Sequence, residues 1–259
     1  MRIALGIEYD GSAYFGWQRQ LLEQTVQGRV ETGLSVVADH PVRVVCAGRT
    51  DTGVHATGQV VHFDTVAQRD TVNWVRGANA NLPHDIRVQW SAAVASDFHA
   101  RFSARRRCYR YIILNRPVAS ALLRQRVCHE YRPLDHARMR AAAQALVGEH
   151  DFTSFRAAGC QARSPRREIY RLEVTRAGDC VYLDVEANAF LHHMVRCIAG
   201  VLLAIGRGEQ AVDWAAEVLL ARDRTLSGVN APPGGLYLVQ VGYDAHHGLP
   251  DDTHVPVFC

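Results

Sequence analysis

Short strand-like and helix-like segments alternate along the whole chain, and that alternation limits the fold to a mixed architecture. Residues 2–9 alternate apolar and polar side chains and run into Asp10-Gly11, the pattern of a strand entering a turn. Val26, Val30, Leu34 and Val37 recur at helical spacing over 25–37, with Thr25 placed to cap the first turn. A strand over 42–47 follows, then a glycine-punctuated loop over 48–58, a strand over 59–63, a helix over 71–79 and a strand over 86–95. After 96–103, which lacks clean periodicity, a similar order begins again. The second run predicts a strand over 108–114, a helix over 135–147, and a hairpin of strands 167–175 and 180–186 turning at Ala177-Gly178-Asp179. Helices over 190–205 and 212–220 and a closing strand over 236–242 complete it. Two similar α+β halves fit this order, each a mostly antiparallel sheet with helices packed on one face. The expected boundaries are 1–103 for the N-terminal half, 104–245 for the C-terminal half and 246–259 for a tail without a motif.

At 259 residues and 48% hydrophobic content the chain is long enough to bury a sizeable core, and a charged fraction of 21% argues against extended disorder. No apolar run approaches the roughly 18 to 20 residues that span a bilayer, and Glu8 comes too early for a signal peptide. An unexported, cytosolic chain is the expectation. The seven cysteines are scattered and contain no Cys-x-x-Cys pair, which predicts reduced thiols rather than a disulfide framework or a zinc knuckle. The net charge is only +3, yet all 29 basic residues are arginine. A coding bias explains that plainly. Arginine forks nevertheless bind phosphate and stack on bases in ways lysine does not.

The segment from Ala47 to Ala56 places Arg49, Asp51 and His55 in a loop bounded by glycines, directly after a strand. Loops held by a sheet are where catalytic groups usually sit. An ion pair of Arg49 with Asp51 in an ordinary turn fits the same spacing. Val54 and His55 stand after Gly48-x-x-x-x-Gly53 where a P-loop needs lysine and a hydroxyl residue, so a nucleotide cradle is not supported. His55 and His62, and the adjacent His192 and His193, do not give zinc spacing; the latter pair point about 100° apart on a helix.

Gly48-Arg49-Thr50-Asp51-Thr52-Gly53-Val54-His55-Ala56 resembles the catalytic signature of the TruA family of tRNA pseudouridine synthases. Tyr9-Asp10-Gly11 through Phe15-Gly16-Trp17-Gln18-Arg19-Gln20 resembles that family's opening. Phe98-His99-Ala100-Arg101-Phe102-Ser103-Ala104 with Tyr109-Arg110-Tyr111, and Phe190-Leu191-His192-His193-Met194-Val195-Arg196, resemble further motifs in the family's order. The resemblance implies a pseudouridine synthase fold with a catalytic cleft between the two halves. It also implies isomerisation of uridine in the anticodon stem-loop of tRNA, at positions 38, 39 and 40, by a homodimer.

Residue by residue, the resemblance makes Asp51 the catalytic carboxylate, with Tyr109 against the target base and Arg196 beside the acid. Arg49 is matched to the arginine that enters the stem as the nucleotide is flipped out. One carboxylate suffices, because it can attack C1′ or assist removal of the C2′ proton, and no water is activated. No redox step or outside atom enters, so neither a cofactor nor a catalytic metal is expected. Arg101, Arg106 and Arg110 are read as RNA-binding, with a solvated strand edge as the alternative for Arg105 and Arg107 and the same ambiguity at Arg163, Arg166 and Arg167. Cys197 departs from the family, in which asparagine commonly follows the helix arginine. The alternatives are an RNA-binding or RNA-chaperone module without catalysis, and a nucleoside hydrolase. The hydrolase needs a second acid, for which Asp10, Asp64 and Glu186 are available.

Overall fold

The computed structural model describes residues 1–21, 23–250 and 254–258. The chain forms two compact units, Met1–Arg105 with Tyr237–Pro256, and Arg106–Leu236 with Val257–Cys259. Both are α+β.

In the first unit, β1 (Arg2–Tyr9) pairs antiparallel with β3 (His55–Asp64) on one side and β4 (Ile86–Val94) on the other. The short β2 (Val45–Cys46) adds to β3. Two helices, α1 (Val26–Ala38) and α2 (Thr71–Asn81), pack together, with α2 on β4. Thr25 caps α1 as its sequence position indicates, accepting from the Gly28 N–H at 3.3 Å. Ile3, Leu5, Val30, Leu34, Val61, Phe63 and Trp74 form the core.

The expected strand over 42–47 shrinks to two residues for a specific reason. Glu31 and Ser35 of α1 accept the backbone N–H groups of Val44 (3.2 Å) and Val42 (2.9 Å). Those donors are satisfied by a helix, so no ladder forms there. The closing strand β10 (Leu236–Tyr243) runs parallel to β3, pairing Tyr237 with His55 and Leu238 with Ala56. It therefore belongs to the first unit, where the sequence reading had grouped it with the second half.

In the second unit, β5 (Ala104–Asn115), β9 (Cys180–Ala187), β8 (Arg166–Ala177) and β7 (Gly148–Asp151) are antiparallel neighbours in that order. A short β6 (Cys128–Glu130) runs parallel to β5. Helix α3 (His136–Ala143) packs on β8 and on α4 (Met194–Gly206); α5 (Trp214–Ala221) follows. Asp135 caps α3 by accepting from Ala137 and Arg138 N–H. Helix α4 starts four residues later than its apolar run predicts because His193 adopts φ 64°, a left-handed conformation that interrupts a helix. Cys46, Cys108, Cys128, Cys160 and Cys197 are free thiols, whereas Cys180 is disulfide-bonded, so the expectation of reduced thiols throughout does not hold there.

Among the described residues, no helix is long and apolar enough to cross a membrane.

Candidate active site

The Asp51 loop lies between β2 and β3 and is held from both sides of the carboxylate. Thr50 Oγ1 and Tyr9 Oη share a hydrogen bond of 2.7 Å in the core, and Thr50 O accepts the Trp17 N–H at 2.9 Å. On the other side Val54 N–H closes a turn on Asp51 O at 3.1 Å. Gln59 Nε2 donates to Gly48 O at 2.7 Å. The segment 10–17 is thus the wall against which the loop is built. Gly16 has φ +80° and a side-chain carbon there would stand 2.8 Å from Thr50 O, so only glycine allows this approach. Asp51 is half-buried and Arg49, two residues earlier, is exposed.

His55 explains why the loop ends as it does. Its buried ring stacks on Tyr237 at 4.7 Å, and Nδ1 lies 3.0 Å from Gly11 N and 3.2 Å from Asp10 Oδ1. That nitrogen serves one partner at a time: protonated it donates to Asp10, unprotonated it accepts from Gly11. The hydrogen bond from His55, then those from Ser12, hold the Asp10 carboxyl well below the usual carboxylate range despite burial.

The other candidate arginine of this unit, Arg101, is presented by a turn that two imidazoles shape. His99 Nδ1 accepts the N–H groups of Arg101 and Phe102, each at 3.2 Å, and His62 Nδ1 accepts that of Ala100 at 3.1 Å. Phe102 is 75% exposed, stacked on His99 at 4.3 Å, with the Arg101 guanidinium 5.5 Å from its ring. The sequence shows His62 only as half of a pair without zinc spacing and His99 only within the motif over 98–104; that both imidazoles shape this turn is visible only in three dimensions.

In the second unit, Tyr109 lies on β5, is buried, and meets Phe190 edge-on at 5.0 Å. Strand alternation sorts the neighbouring arginines. Tyr109 pairs with Val185, and Arg107 shares its face, opposite Ala187. Arg110 pairs with Asp184 on the other face, bonded to it twice at 2.7 Å and lying over the Tyr182 ring at 4.7 Å. Arg106 is 3.6 Å from Glu186 on that same far face. The arginine beside Tyr109 is Arg107, which a count of two along the strand would have found.

Arg196 sits in the first turn of α4, half-buried. Its Nε donates to Ala231 O at 2.9 Å, and its charge reaches Tyr111, two residues beyond Tyr109 on the same face of β5. The next residue, Cys197, donates through Sγ to Asn230 Oδ1 at 3.0 Å; Arg224 Nη2 donates to that oxygen at 2.6 Å. An amide therefore does stand at this point, supplied by the loop rather than by the helix.

The acids available for a hydrolytic reading are each engaged. Asp10 is bonded to Ser12 and near His55, Asp64 takes both arms of Arg2 at 2.8 Å, and Glu186 faces Arg106. Cysteine nucleophiles are disfavoured, since burial pushes Cys46 up to about 11 and Cys108 up to about 12.

A family model described as tRNA pseudouridine synthase matches residues 6–103 and 142–244. The chain is 59% identical over 257 residues to "tRNA pseudouridine synthase A" of Coxiella burnetii, covering 99% of this chain and 98% of that protein. It is 56% identical over 258 residues to the protein so named in Vibrio cholerae, covering 100% of this chain and 98% of the relative. Among solved structures, the "Crystal Structure of a Cbf5-Nop10-Gar1 Complex" aligns over 92% of this chain and 49% of that one at 13% identity, with a TM-score of 0.38, too low to argue from.

Proposed function

The chain belongs to the tRNA pseudouridine synthase family and isomerises uridine in tRNA, and from that premise we propose that Asp51 is its catalytic carboxylate and the anticodon stem-loop its target. The target uridines are those at positions 38, 39 and 40. Asp51 acts at C1′ or on the C2′ proton. The C1′–N1 bond breaks, the freed uracil turns, and C1′ bonds to C5; C5 gives up its proton and N1 gains one, so nothing is added or lost overall. Such a reaction requires no cofactor and no metal.

Tyr109 lies against the turned base, and Arg196 is the arginine partner of the acid in the reaction. Arg49 fills the stack the flipped nucleotide leaves, which its exposure at the loop rim supports. Arg101 holds the backbone nearby. Arg106 and Arg110, already engaged by Glu186 and Asp184, contribute to RNA binding only through what those acids leave uncompensated. A cytoplasmic homodimer is the working form.

The observation that carries the reading is the fixation of Asp51 between Thr50 and Val54, with tight hydrogen bonds on both sides of a half-buried carboxylate. A positioned acid of this kind needs no rearrangement to react. The test is to incubate purified protein with unmodified tRNA transcripts and map products by carbodiimide-dependent reverse-transcription stops. Stops confined to the anticodon arm, absent with Asp51→Asn while that variant still binds tRNA, are expected. Product from the variant, or stops elsewhere, would overturn the assignment.

A further inference from the structure

Two arginines outside the roles above converge on the Tyr109 face of the second unit. Arg107 is two residues before Tyr109 on β5 and so on the same side of the strand. Its Nη1 donates to Asn188 O at 2.9 Å. Asn188 in turn is tied to β8, its N–H donating to Glu168 O at 3.1 Å and its Oδ1 accepting Glu168 N–H at 3.2 Å. Arg167 adjoins Glu168, and being two residues before Ile169, which pairs with Ala187, it lies on the face that Arg107 occupies.

Arg167 is poorly compensated for a half-buried charge. Its Nη1 donates to the carbonyls of Ser164 (2.9 Å) and Arg166, and its Nε is a buried donor without a hydrogen-bond partner. Burial, and beyond it the Arg107 charge, hold its guanidinium below the ordinary range, and among the described residues only the Cys160 thiol acts in the other direction. Among the described residues, no carboxylate is one of the groups acting on it. Arg207 shares the unbonded Nε, but Glu130 and Glu209 meet its charge at 3.2 and 2.6 Å. Bringing two guanidiniums together with one partly desolvated is unfavourable unless an anion joins them.

We propose that Arg107 and Arg167 form a phosphate site that binds a backbone phosphodiester of the RNA next to the nucleotide held by Tyr109. The inference rests on the tRNA-modifying reading and deepens it. Two residues of strand rise by about 7 Å, so Arg107 is one short step from Tyr109 along the sheet. The planar forks suit bidentate contact with non-bridging oxygens.

The experiment has two arms on the full chain. In the first, thermal melts compare sodium sulfate with sodium chloride at matched ionic strength. Sulfate raises melting temperatures generally, and its excess over chloride should be larger in the wild type than in Arg107→Gln and Arg167→Gln. This arm involves no RNA, so it stands or falls apart from the catalytic reading. In the second, affinity for an unmodified anticodon stem-loop is measured against salt. Each substitution should reduce the slope of log K against log salt by about 0.9, the value for one lost phosphate contact on a duplex stem. An equal sulfate excess in the wild type and both variants, or weaker RNA binding with an unchanged slope, overturns the proposal. The second outcome would mean the arginines only support the fold.

Discussion

Arg196 and Ala231 exchange two hydrogen bonds: the Ala231 N–H donates to Arg196 O at 3.0 Å, and Arg196 Nε donates to Ala231 O at 2.9 Å. The helix arginine is thereby fixed at its stem. Lysine lacks the inner nitrogen that makes the second bond, so Arg196→Lys keeps the charge but not its placement. A hydrogen bond to a charged group is worth about 1.5–3 kcal/mol, which corresponds to roughly 10- to 150-fold in rate at about 1.4 kcal/mol per tenfold. Single-turnover pseudouridine formation should slow within that range while the melting temperature changes little. Wild-type turnover in the lysine variant would show that the placement does not matter.

Gly16→Ala is expected to disturb the Asp51 loop from outside it. Alanine must adopt φ +80° with a carbon 2.8 Å from Thr50 O, a strain of order 1–3 kcal/mol. Gly159→Ala, where no atom lies within 4 Å, is the control. Denaturant melts should separate the two variants, and turnover should fall in the first alone. Equal stability would mean the loop yields freely.

Acid sensitivity should be traceable to His62. Burial pushes its imidazole down to about 4, the Arg2 and His99 charges act the same way, and Asp64 opposes them. His99 is lowered too, by burial first. An unfolded histidine titrates near 6.5, so between about 6.5 and 4 the unfolded chain binds protons that the folded one refuses. Stability from this source is complete above that window and is lost as the pH falls through it. His62→Gln should flatten the fall in melting temperature across the window. A fall as steep as in the wild type would place the acid sensitivity elsewhere.

Arg110→Gln should act on stability more than on RNA binding. The substitution leaves Asp184 with both of its 2.7 Å partners gone, on a strand where each side chain is largely covered. A loss of about 1–3 kcal/mol follows from removing a charged hydrogen-bond partner. The salt slope of stem-loop binding should fall by clearly less than one full phosphate contact. A slope reduced by a full contact would instead put Arg110 on the RNA.

Much of this architecture is readable from local pattern. β1, α1 with its Thr25 cap, and the β8–β9 hairpin at Gly178 follow from periodicity and turn chemistry, because nothing distant overrides them. Val42 and Val44 read as strand and are not, because α1 side chains take their amide protons. The late start of α4 depends on one left-handed histidine that no periodicity reveals. At the candidate site, the Gly48 to Ala56 motif is visible as a motif, but its rigidity comes from Tyr9, Tyr14 and Trp17, far away in sequence. The facing of the arginines was not legible for a simpler reason. Their density around Tyr109 draws attention to Arg106 and Arg110, while pleat alternation gives the tyrosine's face to Arg107.

The parallel pairing of β10 with β3 gives the molecule a timetable. A ribosome releases the segment that contains Asp51 early and the strand that flanks it only after residues 106–236 of the second unit, so the nascent first unit waits with an open sheet edge while the second is made. Tyr237, the stacking partner of His55, arrives only then. Chains broken off before β10 would carry the signature loop on an unfinished scaffold, which ties competence to the synthesis of that strand and marks such fragments for proteolysis.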